Sequence, residues 1–186
     1  MNWLPIVLSF SAAVSMLLTE QDKVNPGAQT LQDFSKRVAD YVKIHEAARA
    51  RTSDPKPSNS PEVVKHHEHS LSREIGEMRG EVAQGNIFTP EIAKEFRRLL
   101  AITMQSPDAK HIRESLRHAE PLRNHPLRVN GEYPDGLPLQ SIPPSLLLNL
   151  PPLPKEVEYR IVGNDLILRD VGANLIVDFI ENAIVP

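Results

Sequence analysis

Nine of the chain's 17 prolines fall between residues 121 and 154, at Pro121, Pro126, Pro134, Pro138, Pro143, Pro144, Pro151, Pro152 and Pro154. Proline lacks a backbone N–H and fixes φ, so neither a long helix nor a central strand can run through such a stretch. The sequence before it carries helical periodicity and the sequence after it alternates like β structure. The expected fold class is therefore α+β. An N-terminal four-helix part (residues 30–120) leads into a Pro-rich extended strap (121–154) and a C-terminal three-stranded antiparallel meander (155–186). Within the strap, Ser145 to Leu150 (SLLLNL) is too apolar for a free linker and is expected to lie in a groove on the helical part.

The helical part is punctuated by caps. Leu31, Phe34, Val38, Tyr41, His45 and Ala48 recur at spacings of three and four, which predicts a first helix from about Thr30 to Arg51. A second starts at Ser60 with Pro61 in its first position and carries the stripe Val64, Glu68, Leu71, Ile75, Met78 and Val82. Gly85-Asn86 is expected to end it. Thr89-Pro90-Glu91 opens a third, and Ser106-Pro107-Asp108 a fourth that stops before Pro121. In the tail, VEYRIV (157–162), DLILR (165–169) and NLIVDFI (174–180) read as strands, with Gly163-Asn164 as a tight turn. The tail sets three basic residues against six acidic ones, a difference equal to the net charge of −3 of the whole chain. A solvated sheet face is the expected reason.

Ahead of the helices, residues 1–19 form a signal-like apolar segment. The run Trp3 to Leu18 is short for a membrane span, which needs about 20 apolar residues, but suits the h-region of a secretory signal. No Lys or Arg precedes it. Residues 20–29 are polar and read as a linker. The expected location is exported, periplasmic or extracellular, with no stable transmembrane anchor.

Some chemistries are disfavoured at once. The chain has no cysteine, which removes disulfides, thiol nucleophiles and Cys-based metal sites. A net charge of −3 without a polybasic block argues against a nucleic-acid partner. No Gly-x-Ser-x-Gly, phosphate-binding loop or His-Glu-x-x-His is present. Arg97, Arg98, Arg113, Arg117, Arg123 and Arg128 are diluted by Glu91, Glu95 and Glu114 and read as a solvated face.

One constellation remains. His66, His67, Glu68 and His69 are consecutive on the second helix, with His66 and His69 able to share a face. If the first two helices form an antiparallel hairpin, His45 and Glu68 meet in an otherwise apolar seam. Such a polar pair must be satisfied by each other, by water or by a metal. His45, His66, His67, Glu68 and His69 are thus the candidate metal ligands, for a divalent ion such as zinc, nickel or cobalt. The plainer expectation is no cofactor, with a His–Glu hydrogen bond and solvated histidines.

The tail Tyr159-Arg-Ile-Val-Gly-Asn-Asp-Leu-Ile-Leu-Arg-Asp, followed by Asn174-Leu-Ile-Val-Asp-Phe-Ile, carries two resemblances. With the Pro-rich segment and the helical front, the chain resembles a family of exported proteins of soil bacteria, which implies no particular activity. The tail alone is similar to the terminal hairpin of the small periplasmic nickel/cobalt-homeostasis family over about 25 residues. That family has no counterpart to the helical front. The function expected from sequence is a small exported binding or scaffold protein that is not an enzyme, with an envelope protein or small ligand as partner. The alternative is a periplasmic metal-handling protein using the His/Glu cluster.

Overall fold

The computed structural model describes residues 25–52, 60–117, 127–133 and 142–184. The signal-like segment, residues 20–24 of the linker, most of the loop after the first helix, residues 118–120 of the helical part, residues 121–126 and 134–141 of the strap and residues 185–186 lie outside them. The fold is α+β: helices first, then a C-terminal three-stranded antiparallel sheet. The described residues form five helices, α1 (Pro26–Arg51), α2 (Pro61–Arg79), α3 (Pro90–Thr103), α4 (Ala109–Arg117) and α5 (Pro144–Leu147). None is long and apolar enough to cross a membrane.

The caps explain where the helices begin. Thr89 Oγ1 accepts from the Ile92 N–H, with Pro90 at the first helical position of α3. Asn25-Pro26 is the same device at α1, where the Asn25 side chain accepts from the Gly27 N–H at 3.1 Å. Residues 26–29, expected as linker, are therefore helix. α2 ends at Gly80 rather than at Gly85, because Gly80 adopts φ +64 and turns the chain out of the helix. Val82 consequently falls outside α2, and Val64, expected on its inner stripe, is exposed.

α1 buries Phe34, Val38, Tyr41, His45 and Ala48 of the stripe read from the sequence, and its first member, Leu31, is half-buried against the core. Tyr41 meets Arg79 at the end of α2, and a turn further along α1 His45 lies beside Leu71 at Gly172. The two helices therefore run antiparallel. α3 also packs on α1, and the short α5 packs on α3. The segment SLLLNL is thus helical at its start. Leu146 and Leu150 are buried, but Leu147 and Leu148 face solvent.

The sheet is a meander of β1 (Val157–Val162), β2 (Asp165–Asp170) and β3 (Leu175–Ile180), in the order β1-β2-β3. Gly163, at φ 60, supplies the positive φ at the first central position of the β1–β2 turn. Its helix-facing side chains join the main core with the aromatic group Phe34, Phe88, Phe96 and Tyr159, whose ring centroids lie 4.7 to 6.3 Å apart. On the opposite face Ile167, Ile176 and Phe179 pack under Tyr133. β2 and β3 are thus covered on both faces, which is why every residue of β3 is buried and Leu175-Ile-Val and Phe179-Ile, on either side of Asp178, are apolar rather than alternating.

The two sheet edges differ. Residues 130–133 close the outer edge of β3: the Asn130 N–H donates to Ile176 O, Ile176 N–H to Gly131 O and Tyr133 N–H to Asn174 O. No described residue forms a ladder on the outer edge of β1.

Candidate functional site

The helices meet the sheet through a buried polar seam. Asp170, at the end of β2, is fully buried. Its Oδ2 accepts from the Tyr41 hydroxyl at 2.7 Å and lies 2.6 Å from His45 Nδ1, while Oδ1 accepts from the Ala173 N–H at 2.8 Å. The hydrogen bond to Asp170 holds the His45 imidazole above its ordinary pKa of 6.5, against the opposing effect of burial. Burial, reinforced by the Asp170 charge, pushes the Tyr41 phenol well above its usual value of 10. Arg79 lies over the Tyr41 ring, 5.1 Å from its centroid, and donates to Asn130 Oδ1 and to Val177 O.

A second buried carboxylate organises the adjoining loop. Asp178 accepts from the N–H groups of Gly85, Ile87 and Phe88 at 3.0, 2.8 and 2.8 Å. A β-bulge makes this possible. The pairing shifts between Leu168 and Arg169, so that Val177 and Asp178 together oppose a single step of β2 and Asp178 is aimed at the helical side. Neither Asp170 nor Asp178 belongs to the solvated acidic face expected of the tail, since both are buried structural acceptors.

This seam has the composition of a catalytic site but not its availability. A cleft of about 220 Å³, lined by Arg37, Asp40, Tyr41, Ile44, Arg79, Asn86 and Ile87, reaches the Tyr41 ring and the Arg79 guanidinium. The Tyr41 proton is committed to Asp170, and Arg79 to Asn130 and Val177. Among the described residues, the His–Asp pair has no serine or threonine hydroxyl as a hydrogen-bond partner to act as nucleophile.

The histidine cluster is dispersed. His45 is satisfied by Asp170 and not by Glu68, which corrects the pairing expected across the α1–α2 seam. The tertiary fold brings Asp170 at the end of β2, rather than Glu68 of α2, to Nδ1 of the buried imidazole. His66 and His69 are exposed, His67 and Glu68 half-buried, and His69 Nε2 stands 3.8 Å from Glu132. Among the described residues no three His, Asp or Glu side chains converge so as to hold a metal ion.

A larger feature lies on the other side of β1. An open cleft of about 650 Å³ runs between the strap and the strand, walled by Leu147, Leu148, Leu150 and Leu153 on one side and by Val157 to Arg160 on the other. Leu148 is 81% exposed, the most exposed large apolar side chain among the described residues. Four consecutive residues of an extended strand can line one cleft only along the strand's edge, because successive side chains point to opposite faces. Tyr159 fixes the spacing, its hydroxyl donating to Pro151 O at 3.0 Å. The Val171 N–H bonds Glu156 O, so the even-numbered residues of β1 face β2 and the backbone groups of Tyr159 and Ile161 face the cleft side. The sequence signal for this site was the apolar SLLLNL run, which marked a contact without identifying the strand edge beside it.

Comparison of the chain with protein-family models, with curated proteins and with solved structures finds no match.

Proposed function

We propose that this chain is a small exported binding or scaffold protein, not an enzyme, whose recognition surface is the cleft between the strap and β1. The occupant is an extended, largely apolar segment of a protein partner that adds to the sheet as a further strand. The observation that carries this reading is the pairing of exposed Leu147 and Leu148 with a strand edge that no described residue pairs, along one cleft of about 650 Å³. An exposed edge offers a row of backbone donors and acceptors, which supplies affinity, and flanking apolar pockets supply selectivity. The contrast with β3 supports it, since that edge is closed by residues 130–133 of the same chain. The buried seam supports it from the other side. Its carboxylates are saturated by internal donors and hold the helices on the sheet, leaving the cleft as the larger open feature.

The test is a fluorescence titration of the full chain, in dilute solution, with 1-anilinonaphthalene-8-sulfonate. Saturable binding to the native protein that is lost in Leu148→Asp, with the circular dichroism melt unchanged, is the expected result. Absence of binding, or binding indifferent to Leu148→Asp, would contradict the reading.

A further inference from the structure

We infer that the segment added to β1 is β1 of a second copy of this chain, giving a two-fold symmetric dimer with a continuous six-stranded sheet. The inference rests on the reading of the cleft as a strand-addition site and names its occupant.

The evidence is the self-complementarity of the strand. The backbone groups on the outer edge of β1, which no described residue pairs, belong to Val157, Tyr159 and Ile161, so two copies pairing antiparallel must oppose odd-numbered residues. Three registers overlap over most of the strand. With Val157 opposite Tyr159 of the other copy, Glu158 faces Glu158. With Tyr159 opposite Ile161, Arg160 faces Arg160. Only the register with Tyr159 on the two-fold axis avoids like charges, and it places Glu158 opposite Arg160 of the second copy, twice by symmetry. The same register sets Val157 opposite Ile161, apolar against apolar. It is also the register that slips of one step in either direction would penalise.

The backbone inventory agrees. The Val157 N–H is already committed to Pro154 O, but its carbonyl remains on the edge. In the central register each Ile161 N–H donates to Val157 O of the other copy, and the two Tyr159 residues exchange N–H···O bonds. The charges stand on the sheet face away from the helices, where Glu158 already accepts from Arg160 at 2.6 Å and from Arg169 at 2.6 Å. A second copy adds an Arg to each Glu without burying an unpaired charge. Leu147 and Leu148 border the new pairing and lose their exposure to water.

The experiment uses two charge variants of the full chain, Arg160→Glu and Glu158→Arg, in sedimentation equilibrium. The native chain is expected to dimerise in a concentration-dependent way. Each variant alone sets like charges opposite each other twice and raises the dimer dissociation constant about tenfold or more. An equimolar mixture restores the native constant to within a few-fold, because the mixed dimer again opposes Glu to Arg at both positions. A chain that stays monomeric at its highest soluble concentration overturns the inference. So does a dimer indifferent to either variant, or a mixture that does not recover. Should a variant fail to fold, amide exchange in the native chain decides. Tyr159 and Ile161 N–H must gain protection with concentration while Glu158 and Arg160 N–H, bonded to β2, are protected throughout. Unprotected Tyr159 and Ile161 amides in a dimeric sample overturn it. A monomer that binds the fluorophore at Leu148 would sink the dimer and leave the cleft reading standing.

Discussion

His45 on α1 and Asp170 at the end of β2 are 125 residues apart in sequence and 2.6 Å apart in the fold, with the carboxylate fully buried. The contact ties the helical layer to the sheet, and Tyr41 reinforces it from one turn earlier on the same helix. Replacing one partner leaves the others buried without a match, which costs more than the contact itself contributes. Asp170→Asn substitutes an amide for an oxygen that accepts from two side chains. It is expected to lower stability by about 3 kcal/mol or more, read as a shift of the urea midpoint at constant m-value. A loss within experimental scatter would show that the seam is not structural.

The same pair sets a pH dependence. The folded-state pKa of His45 is raised above the ordinary 6.5 by the hydrogen bond to Asp170. A raised histidine contributes stability that is fully present below the unfolded value and is lost as pH rises through the folded value. Urea midpoints are therefore expected to decline from about pH 6.5 upward, and His45→Gln is expected to flatten that slope. An unchanged slope in the variant would assign the titration to another group.

Asp178→Ala removes the acceptor for three backbone N–H groups of the 85–88 loop. The expected cost is about 3 kcal/mol, and amide exchange at Ile87 and Phe88 is expected to accelerate before global unfolding. Retained protection there would mean that the loop holds itself without the carboxylate.

Leu148→Asp, by contrast, touches an exposed side chain and is expected to change stability by less than about 0.5 kcal/mol, checked by thermal melting. A large loss would reassign Leu148 to the core and remove it from the recognition surface.

The signal-like run Trp3 to Leu18 carries the export proposal. The intact mass of protein recovered from a secreting host is expected to lack about the first 20 residues. A mass that begins at Met1 would remove export from the account.

Features written in local chemistry were legible in the sequence. Thr89-Pro90 and Ser60-Pro61 marked helix starts, the heptad stripe placed His45 inside, and Gly163-Asn164 gave the hairpin. Asn25-Pro26 carried the same start signal as Ser60-Pro61 but sat in a polar stretch that read as linker. The partner of His45 was not legible, because a buried imidazole announces only that it needs a partner. The choice of Asp170 over Glu68 is made by how β2 packs on α1. Asp178 was hidden for a related reason: without the bulge, alternation gives no cue that its carboxylate turns toward the helical side. The cleft was half legible. SLLLNL declared an apolar contact, but which of its leucines stay exposed depends on the single turn of α5 and its packing on α3.

The most direct test of the cleft as the recognition surface is chemical-shift mapping. The isotope-labelled full chain would be titrated with 1-anilinonaphthalene-8-sulfonate in dilute solution. Shifts concentrated at Leu147, Leu148, Leu153 and Val157 to Arg160 are the predicted result. Shifts centred on Tyr41, Arg79 and Ile87, or none at all, would contradict it.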